Sequence, residues 1–193
     1  FATGSLFVNG RADWRSDYHA LTLRGELEEG QQFIETFGDR ELPFIKAQDR
    51  LEGDAFYSLF VNPGVGLYGR LGSETQLFET NAFFYEDTDV AVRGLDGGVT
   101  YDSVEAGTLY NISDAFSPTR TRLGGGLNVR FLNFKWADLS VRVGPGWRWN
   151  NYAGALISED NPNTPAIEYT ELDDFKQQGV EATAIAAFKV KGV

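Results

Sequence analysis

His19 is the single histidine of the chain, and hydroxyl and carboxylate side chains lie close to it in sequence. Asp13, Ser16 and Asp17 add the residue types of a nucleophile, a base and an orienting carboxylate. Alternate side chains of a strand point to opposite faces, so residues this close in sequence cannot all converge. We therefore expect an exposed histidine at a strand end, and we predict no catalytic site and no enzyme activity.

Short acidic clusters are the second set of residues that could do chemistry. Glu86, Asp87 and Asp89 offer closely spaced oxygen ligands of the kind that Ca²⁺ prefers. The stretch lacks the glycine and the terminal glutamate that a calcium-binding loop uses. The chain also contains no cysteine, which removes thiolate metal sites and cysteine nucleophiles. We expect solvated loop charge here, and we predict no metal site and no cofactor.

Composition limits the class of protein further. The chain has 193 residues with 17 Lys and Arg against 28 Asp and Glu, a formal net charge of −11. Such a charge argues against a nucleic-acid partner, because phosphate binding needs clustered basic residues. No run approaches the roughly 18 consecutive apolar residues of a membrane-spanning helix. The length predicts one domain over 1–193, and terminal strands outside this sequence remain an open alternative.

Alternation of apolar and polar residues is the dominant pattern. In 45–61, eight of the nine odd positions are apolar or glycine, and six of the eight even positions are polar. Side chains alternate across a strand, so this segment has one apolar and one charged face. The same period recurs in 21–28, 65–77, 121–131, 137–143 and 180–190. The pattern predicts an all-β fold of antiparallel strands, about ten of them visible within a range of eight to twelve.

Turn residues divide the strands into hairpins. The predicted fold has short turns at one end and longer connections at the other. Asn62-Pro63-Gly64, Asp96-Gly97-Gly98 and the stretch 132–135 are typical of tight links between strands. Longer polar connections are expected at 28–43, 103–118 and 154–172. Gly144-Pro145-Gly146 interrupts a strand pattern and predicts a kink, because proline lacks the ladder donor.

The period alone does not say which face is inside. A soluble barrel or sandwich buries the apolar face, whereas a membrane barrel turns it toward lipid and keeps a polar lumen. The long alternating segments and the small side chains of the apolar face favour the membrane barrel. Aromatic clusters favour it too, since such rings form girdles at the headgroup boundary. These clusters are Phe83-Phe84-Tyr85, Trp147 with Trp149 and Tyr152, and Trp14 with Tyr18.

The sequence therefore predicts an antiparallel up-and-down transmembrane β-barrel with two sets of side chains. The predicted lipid-facing residues are Leu51, Leu59, Leu67, Leu123, Leu127, Val129, Leu139, Val141, Val180 and Ala184. The predicted lumen charge network consists of Arg50, Glu52, Arg70, Glu74, Arg93, Arg122, Arg130, Asp138 and Arg142. In a narrow barrel these charges would pair and fill the interior. A wider lumen would instead make the arginines a selectivity surface for small anions.

A family resemblance accompanies this pattern over about 45–150. The glycine-rich stretch 121–130 is followed by the stretch 139–149, which ends in Gly144-Pro145-Gly146-Trp147-Arg148-Trp149. Together with Leu67-Tyr68-Gly69-Arg70 upstream, these segments resemble the salt-induced outer membrane protein family and related uncharacterised barrels of Bacteroidetes-type bacteria. The resemblance implies a Gram-negative outer-membrane barrel without a defined activity. It also implies a terminal aromatic residue on the last strand, whereas this sequence ends with Lys191-Gly192-Val193.

The function predicted from the sequence is that of a bacterial outer-membrane β-barrel with a polar, side-chain-filled lumen. Its role would be structural or that of a narrow pore. Outer-membrane lipid is the expected partner, with other envelope proteins as further candidates. The alternative is a soluble lipocalin-like β-barrel that binds a small apolar ligand in a cavity lined by the apolar faces.

Overall fold

The computed structural model describes residues 2–33, 45–133 and 136–188, which form thirteen strands. Seven of the strands contain 11 to 18 residues and six contain three to six, and the described ranges contain no helix. The strands are β1 Ala2–Arg15, β2 His19–Phe33, β3 Ile45–Asn62, β4 Val65–Thr75, β5 Thr80–Phe83, β6 Thr88–Arg93, β7 Val99–Val104, β8 Leu109–Ser113, β9 Thr119–Asn133, β10 Ala137–Asn151, β11 Leu156–Ser158, β12 Ile167–Glu171 and β13 Phe175–Phe188. Within the described ranges, no helix is long and apolar enough to cross a membrane.

Seven of the strands form one large antiparallel sheet in the order β1-β2-β3-β4-β9-β10-β13. The strand ends that flank the short links β1–β2, β3–β4 and β9–β10 lie at one end of the sheet. The end of β2 and the start of β3 lie at the other end, together with the connections 76–118 and 152–174. The prediction of an all-β, antiparallel, two-ended fold is therefore confirmed. In the part of the chain that the structure describes, β1 and β13 remain the two open edges of this sheet.

The alternating pattern stays in phase from strand to strand. Leu127 on β9 lies opposite Leu67 on β4 and Val143 on β10. Directly opposite residues of an antiparallel pair share a face, so each apolar position meets another apolar position. A slip of one residue would exchange the two faces, and the pattern therefore fixes the register.

Several sequence-based boundaries were wrong because short strands carry little periodic signal. The expected total of about ten strands compares with thirteen described ones. The region 103–118 contains β8, and 154–172 contains β11 and β12. The expected connection at 28–43 begins inside β2, and its remainder from 34 onward lies outside the described residues.

The residues 76–118 and 152–174 form a second structure, which we call the insertion unit. It contains a four-stranded sheet in the order β11-β12-β6-β7 and the two-stranded pair β5-β8. Strand β12 runs parallel to β6, which joins the two inserted segments through backbone hydrogen bonds. The turn from β6 to β7 has Gly97 at φ +81°, a conformation that favours glycine.

Phe84, Val90 and Tyr169 form the hydrophobic core of the insertion unit. Phe84 was predicted to belong to an aromatic girdle at a membrane boundary, and this assignment was wrong because its ring packs inside that core. Burial raises the pKa of Tyr169, with the Asp160 carboxylate adding to the effect. Burial and then the neighbouring Asp102 carboxylate raise the pKa of Tyr110, which packs against the same core. Both phenols therefore stay neutral in the folded unit well into the alkaline range.

Asp49 joins the large sheet to the insertion unit. Its side chain is fully buried and lies 3.3 Å from the Lys46 ammonium nitrogen. Its carboxylate accepts hydrogen bonds from the backbone amides of Leu77 at 2.8 Å and Phe78 at 2.7 Å. The Lys46 ammonium also donates to the Phe78 carbonyl oxygen at 2.8 Å. Asp49 was the one charged residue at the odd positions of 45–61, and this contact explains the exception.

We expect Asp49→Ala to loosen the start of the insertion unit, because the amides of Leu77 and Phe78 lose a charged, buried acceptor and Lys46 loses its counterion. The cost should be about 3 kcal/mol, typical of a buried hydrogen bond to a charged group. Hydrogen exchange at the amides of Leu77 and Phe78 measures it. Asp49→Asn is the matched control, since it keeps one acceptor oxygen and should cost less. Unchanged exchange in Asp49→Ala would contradict the anchoring role.

Candidate functional site: the charged face of the large sheet

One face of the large sheet carries nearly all of the predicted charge network. The described members of this charged face are Arg50, Glu52, Arg70, Glu74, Arg122, Arg130, Asp138 and Arg142. Arg93 was also predicted there, and this was wrong because it lies on β6 in the insertion unit. Its strand alternates like the others, so period alone did not separate it from the network.

Three carboxylates form a row across the charged face. Glu26 lies opposite Glu52, and Glu52 lies opposite Glu74, on three neighbouring strands. Like charges directly opposite each other destabilise a sheet. Arg50 lies within ion-pair distance of all three, at 3.7 Å from Glu26 and 3.5 Å from Glu74 and in closer contact with Glu52.

Further arginines complete this layer. Glu74 also pairs with Arg122 at 3.1 Å and with Arg120 at 3.8 Å. Arg70 pairs with Asp54 at 3.1 Å beside the row. Four neighbouring strands, β2 to β4 and β9, thus contribute to one network of alternating charge. We call it the carboxylate–arginine layer.

A second layer combines arginine with aromatic rings. The Arg142 guanidinium lies 3.9 Å from the centre of the Phe56 ring, and Phe56 stacks on Tyr68 at 5.7 Å between ring centres. The Tyr68 hydroxyl donates a hydrogen bond of 2.7 Å to the Glu181 carboxylate. These four side chains form a continuous chain across the charged face, with Tyr68 only 7% exposed. We call them the aromatic–arginine layer.

The contacts of the aromatic–arginine layer show that the sheet curls toward its charged face. Arg142 and Phe56 lie three strands apart in the sheet order, and so do Tyr68 and Glu181. On a flat sheet, strands that far apart are separated by about 14 Å. Side chains that stand upright on a flat sheet would not meet over that distance, so these contacts indicate a concave charged face. Burial agrees, because Ser58 is 2% exposed and Asn128 is 5% exposed on this face.

Glycines on β9 and β10 allow neighbouring atoms to approach closely on the concave side of the curled sheet. A Cβ added at Gly126 would collide with backbone atoms of Val143 and Gly144, and one at Gly144 would collide with the backbone of Gly125. A Cβ at Gly124 would collide with the Glu181 carboxylate. The β9–β10 pairing is interrupted between Leu127↔Val143 and Gly124↔Gly146, next to the predicted kink. Close approach of backbone at Gly126 and Gly144, and of the Glu181 side chain at Gly124, therefore explains these glycines better than turn formation does.

The opposite, apolar face carries the residues predicted to contact lipid. All ten of them lie on strands of the large sheet, and Leu67 is 49% exposed while Val180 is 80% exposed. Leu51, Leu123, Leu127 and Ala184 are also exposed, and Leu59, Val129, Leu139 and Val141 are half-buried. No described part of the chain forms a layer over this face. Trp14, Tyr57 and Trp147 share it.

Sequence reasoning missed the residues of the aromatic–arginine layer other than Arg142. Phe56 and Tyr68 are bulky residues at even, otherwise polar positions, and Glu181 is the only carboxylate on β13. Four glycines at even positions of 121–146 were a further signal, since they leave space opposite a long side chain.

The residues around His19 do not assemble a triad. The His19 ring nitrogen Nδ1 lies 2.7 Å from the Tyr57 hydroxyl. Asp13 instead pairs with Arg11 at 2.7 Å and accepts a hydrogen bond from Thr22. Asp13 points to the charged face and His19 to the apolar face, as the strand register requires.

The acidic cluster of the insertion unit has structural contacts. Asp87 accepts a hydrogen bond from the Ala106 amide at 2.8 Å, and Asp89 accepts one from the Ser103 hydroxyl at 2.7 Å. Among the described residues, no three His, Cys, Asp or Glu side chains are grouped so that they could hold a metal ion.

No family model matches the chain, and no similar curated protein or solved structure was found.

We expect Arg50→Met to destabilise the large sheet, because three facing carboxylates lose their common partner. The loss should be about 2 kcal/mol for this half-exposed cluster, measured by urea unfolding of the folded protein. Adding Glu52→Gln should recover part of the loss by removing one charge of the row. Arg148→Met, an exposed arginine outside the row, serves as the control. Equal stability of Arg50→Met and the control would refute the role of Arg50.

Gly126→Ala should destabilise the sheet strongly, because the new methyl group meets backbone atoms that cannot move without breaking the β9–β10 ladder. We expect a loss of about 3 kcal/mol, at the upper end for overpacking. Gly69→Ala is the matched control, since nothing lies within 4 Å of a Cβ there. The urea midpoints of the two variants give the comparison, and a similar midpoint for both would contradict the close approach.

Proposed function

We propose that this chain is a bacterial outer-membrane β-barrel protein whose lumen is filled by its own side chains. Its role would be structural or that of a narrow pore, and the family that its glycine-rich strands resemble implies the barrel without defining an activity. The observation that carries the proposal is that the polar and apolar faces of the large sheet are exchanged relative to those of a water-soluble barrel. Charged and polar side chains meet on the concave face, while the apolar face is uncovered.

The uncovered face has the composition and extent that a bilayer requires. Rows of Leu, Val, Ala and Gly continue across all seven strands. Contiguous apolar patches of this kind are rare on monomeric proteins in water. Six of the strands contain 14 to 18 residues, and β4 contains 11, whereas a bilayer needs about 9–11 tilted residues.

Polar residues mark one border of the apolar face. Glu29 and Asp49 lie opposite each other near the insertion unit, and Lys176 and Gln178 occupy the equivalent end of β13. Leu27, Leu51 and Val180 follow along the same strands. This sharp change supports a hydrocarbon boundary on that side of the sheet.

The filled lumen is supported by the two layers of the charged face. Arginines and carboxylates that face inward in a narrow barrel neutralise each other, as the carboxylate–arginine layer does. The aromatic–arginine layer crosses the same space with Glu181 bound to Tyr68. The soluble lipocalin-like alternative requires the apolar face to line the cavity, which is the reverse of this arrangement.

Closure of the proposed barrel requires more than the seven described strands. An up-and-down sheet of seven strands places β1 and β13 in the same direction. Direct pairing of these edges would be parallel, whereas an antiparallel barrel has an even number of strands. The proposal therefore includes a further strand between the two edges, running opposite to both.

Lipid exposure of matched leucines tests the proposal. Leu67→Cys on the apolar face and Leu95→Cys in the insertion unit replace leucines of similar exposure, 49% and 57%, in a chain without cysteine. Each carries an environment-sensitive dye in reconstituted vesicles. Quenching by nitroxide on lipid chains is expected for the dye at 67 and quenching by iodide for the dye at 95. Aqueous quenching of both, in a chain that is monodisperse without detergent, would refute the membrane assignment.

Planar-bilayer conductance separates the filled lumen from the anion pore. A lumen filled by the two layers should give no stable current steps. Stable anion-selective steps would contradict the filled lumen while leaving the barrel itself intact.

A further inference from the structure

The charge of the chain is divided sharply between its two parts. The insertion unit contains fourteen Asp and Glu residues and a single basic residue, Arg93, for a formal net charge of −13. All other residues together carry +2, since the whole chain has −11. The insertion unit is thus the strongly acidic part of the molecule. An acidic surface of this strength attracts basic partners and repels a second copy of itself.

Strand β7 forms an open edge of this acidic unit. It is the last strand of the order β11-β12-β6-β7 and pairs only with β6 among the described residues. Its side chains from Val99 to Ser103 are exposed, with Tyr101 at 74% and Val99 at 44%. An exposed edge strand with β-branched and aromatic residues is a template for pairing with another chain.

The register identifies which backbone groups of β7 are available. The Gly94 amide donates to the Gly98 carbonyl oxygen at 2.9 Å, so this pair closes the ladder at the hairpin turn. Hydrogen-bonded and non-hydrogen-bonded pairs alternate along an antiparallel ladder. Thr100 and Asp102 are then bonded to Val92 and Val90 on β6. The amides and carbonyls of Val99, Tyr101 and Ser103 consequently point away from β6.

We propose that the β7 edge is a docking site for an extended, basic polypeptide segment of another protein, which adds to the sheet as a further strand. Three residues offer an amide and a carbonyl each, in the spacing that an added strand uses. The acidic charge of the insertion unit selects lysine and arginine on the incoming segment. Other open edges are less suited, because β11 has only three residues and β1 and β13 are engaged in the proposed barrel closure.

A labelled heptapeptide in which lysine alternates with threonine is the probe. Fluorescence anisotropy measures its binding to the full chain in non-ionic detergent, with empty micelles as the blank. We expect binding that weakens with salt, because the attraction is partly electrostatic. The same peptide with glutamate in place of lysine should not bind. A lysine peptide with proline at its centre should bind far more weakly, since proline cannot complete a strand ladder.

Tyr101→Pro and Tyr101→Val form the matched pair of variants. Both variants remove the aromatic ring, but only proline also removes the backbone N–H of residue 101. That N–H points away from β6, so the hydrogen bonds between β7 and β6 remain in place. We expect Tyr101→Pro to weaken peptide binding about tenfold relative to Tyr101→Val, the effect of one lost backbone hydrogen bond with an unpaired partner. Tyr101→Lys provides a test that does not depend on tolerance of proline. It should weaken the lysine peptide and strengthen the glutamate peptide.

Three results would overturn the proposal. Equal binding of the lysine peptide and its proline-interrupted form would reduce the site to non-specific attraction. Equal affinity of Tyr101→Pro and Tyr101→Val would exclude the β7 edge. Self-association of the chain that is lost in Tyr101→Pro would assign this edge to a second copy. None of these results depends on the membrane assignment, which the dye-quenching experiment tests separately.

Discussion

Neutralisation of charge on the concave side is the constraint on which the large sheet depends. Glu26, Glu52 and Glu74 face each other directly on three strands, an arrangement that is unfavourable by itself. Arg50 reaches all three only because it lies on the middle strand, next to Glu52. Curling of the sheet brings Arg120 and Arg122 of β9 to the same row. Charge pairing and curvature therefore depend on each other.

Small residues make this mutual dependence sterically feasible. A curled sheet crowds its concave side, and β9 and β10 place Gly124, Gly126 and Gly144 where crowding is greatest. Glu181 extends over this surface to reach Tyr68, which a side chain at Gly124 would prevent. On the convex side, glycine at position 69 has no close neighbour. Glycine thus allows close approach of neighbouring atoms on the concave face, whereas on the convex face it only makes the surface less bulky.

The large sheet was predictable because its pattern is long. Alternation over 45–61 gave β3 to within one residue, since two faces in different environments impose a strict period of two. The insertion unit was not predictable in this way. Its strands have three to six residues, too few to separate period two from chance. Phe84 and Arg93 were consequently assigned to the barrel, although both belong to the separate core and sheet of the insertion unit.

Contacts between distant strands also could not be predicted from the sequence. The chain Arg142, Phe56, Tyr68 and Glu181 depends on the curvature and on the strand order β3-β4-β9-β10-β13, in which β4 and β9 are neighbours despite the 43 residues between them. The alternating pattern identifies the face of each residue but not its partner across a curved surface. Once the strand order is known, the glycines at even positions indicate where a long side chain can cross.

The two parts of the chain carry different kinds of charge, and this difference suggests a division of roles within the proposed barrel. On the charged face, the carboxylates pair with arginines, so few unpaired charges remain there to bind a ligand. The insertion unit contains one arginine and fourteen acidic residues, so most of its acidic charge has no basic partner within the unit. Paired charge stabilises a fold, whereas unbalanced charge produces a field that extends to a partner. Recognition is therefore expected at the insertion unit, with the sheet as its support.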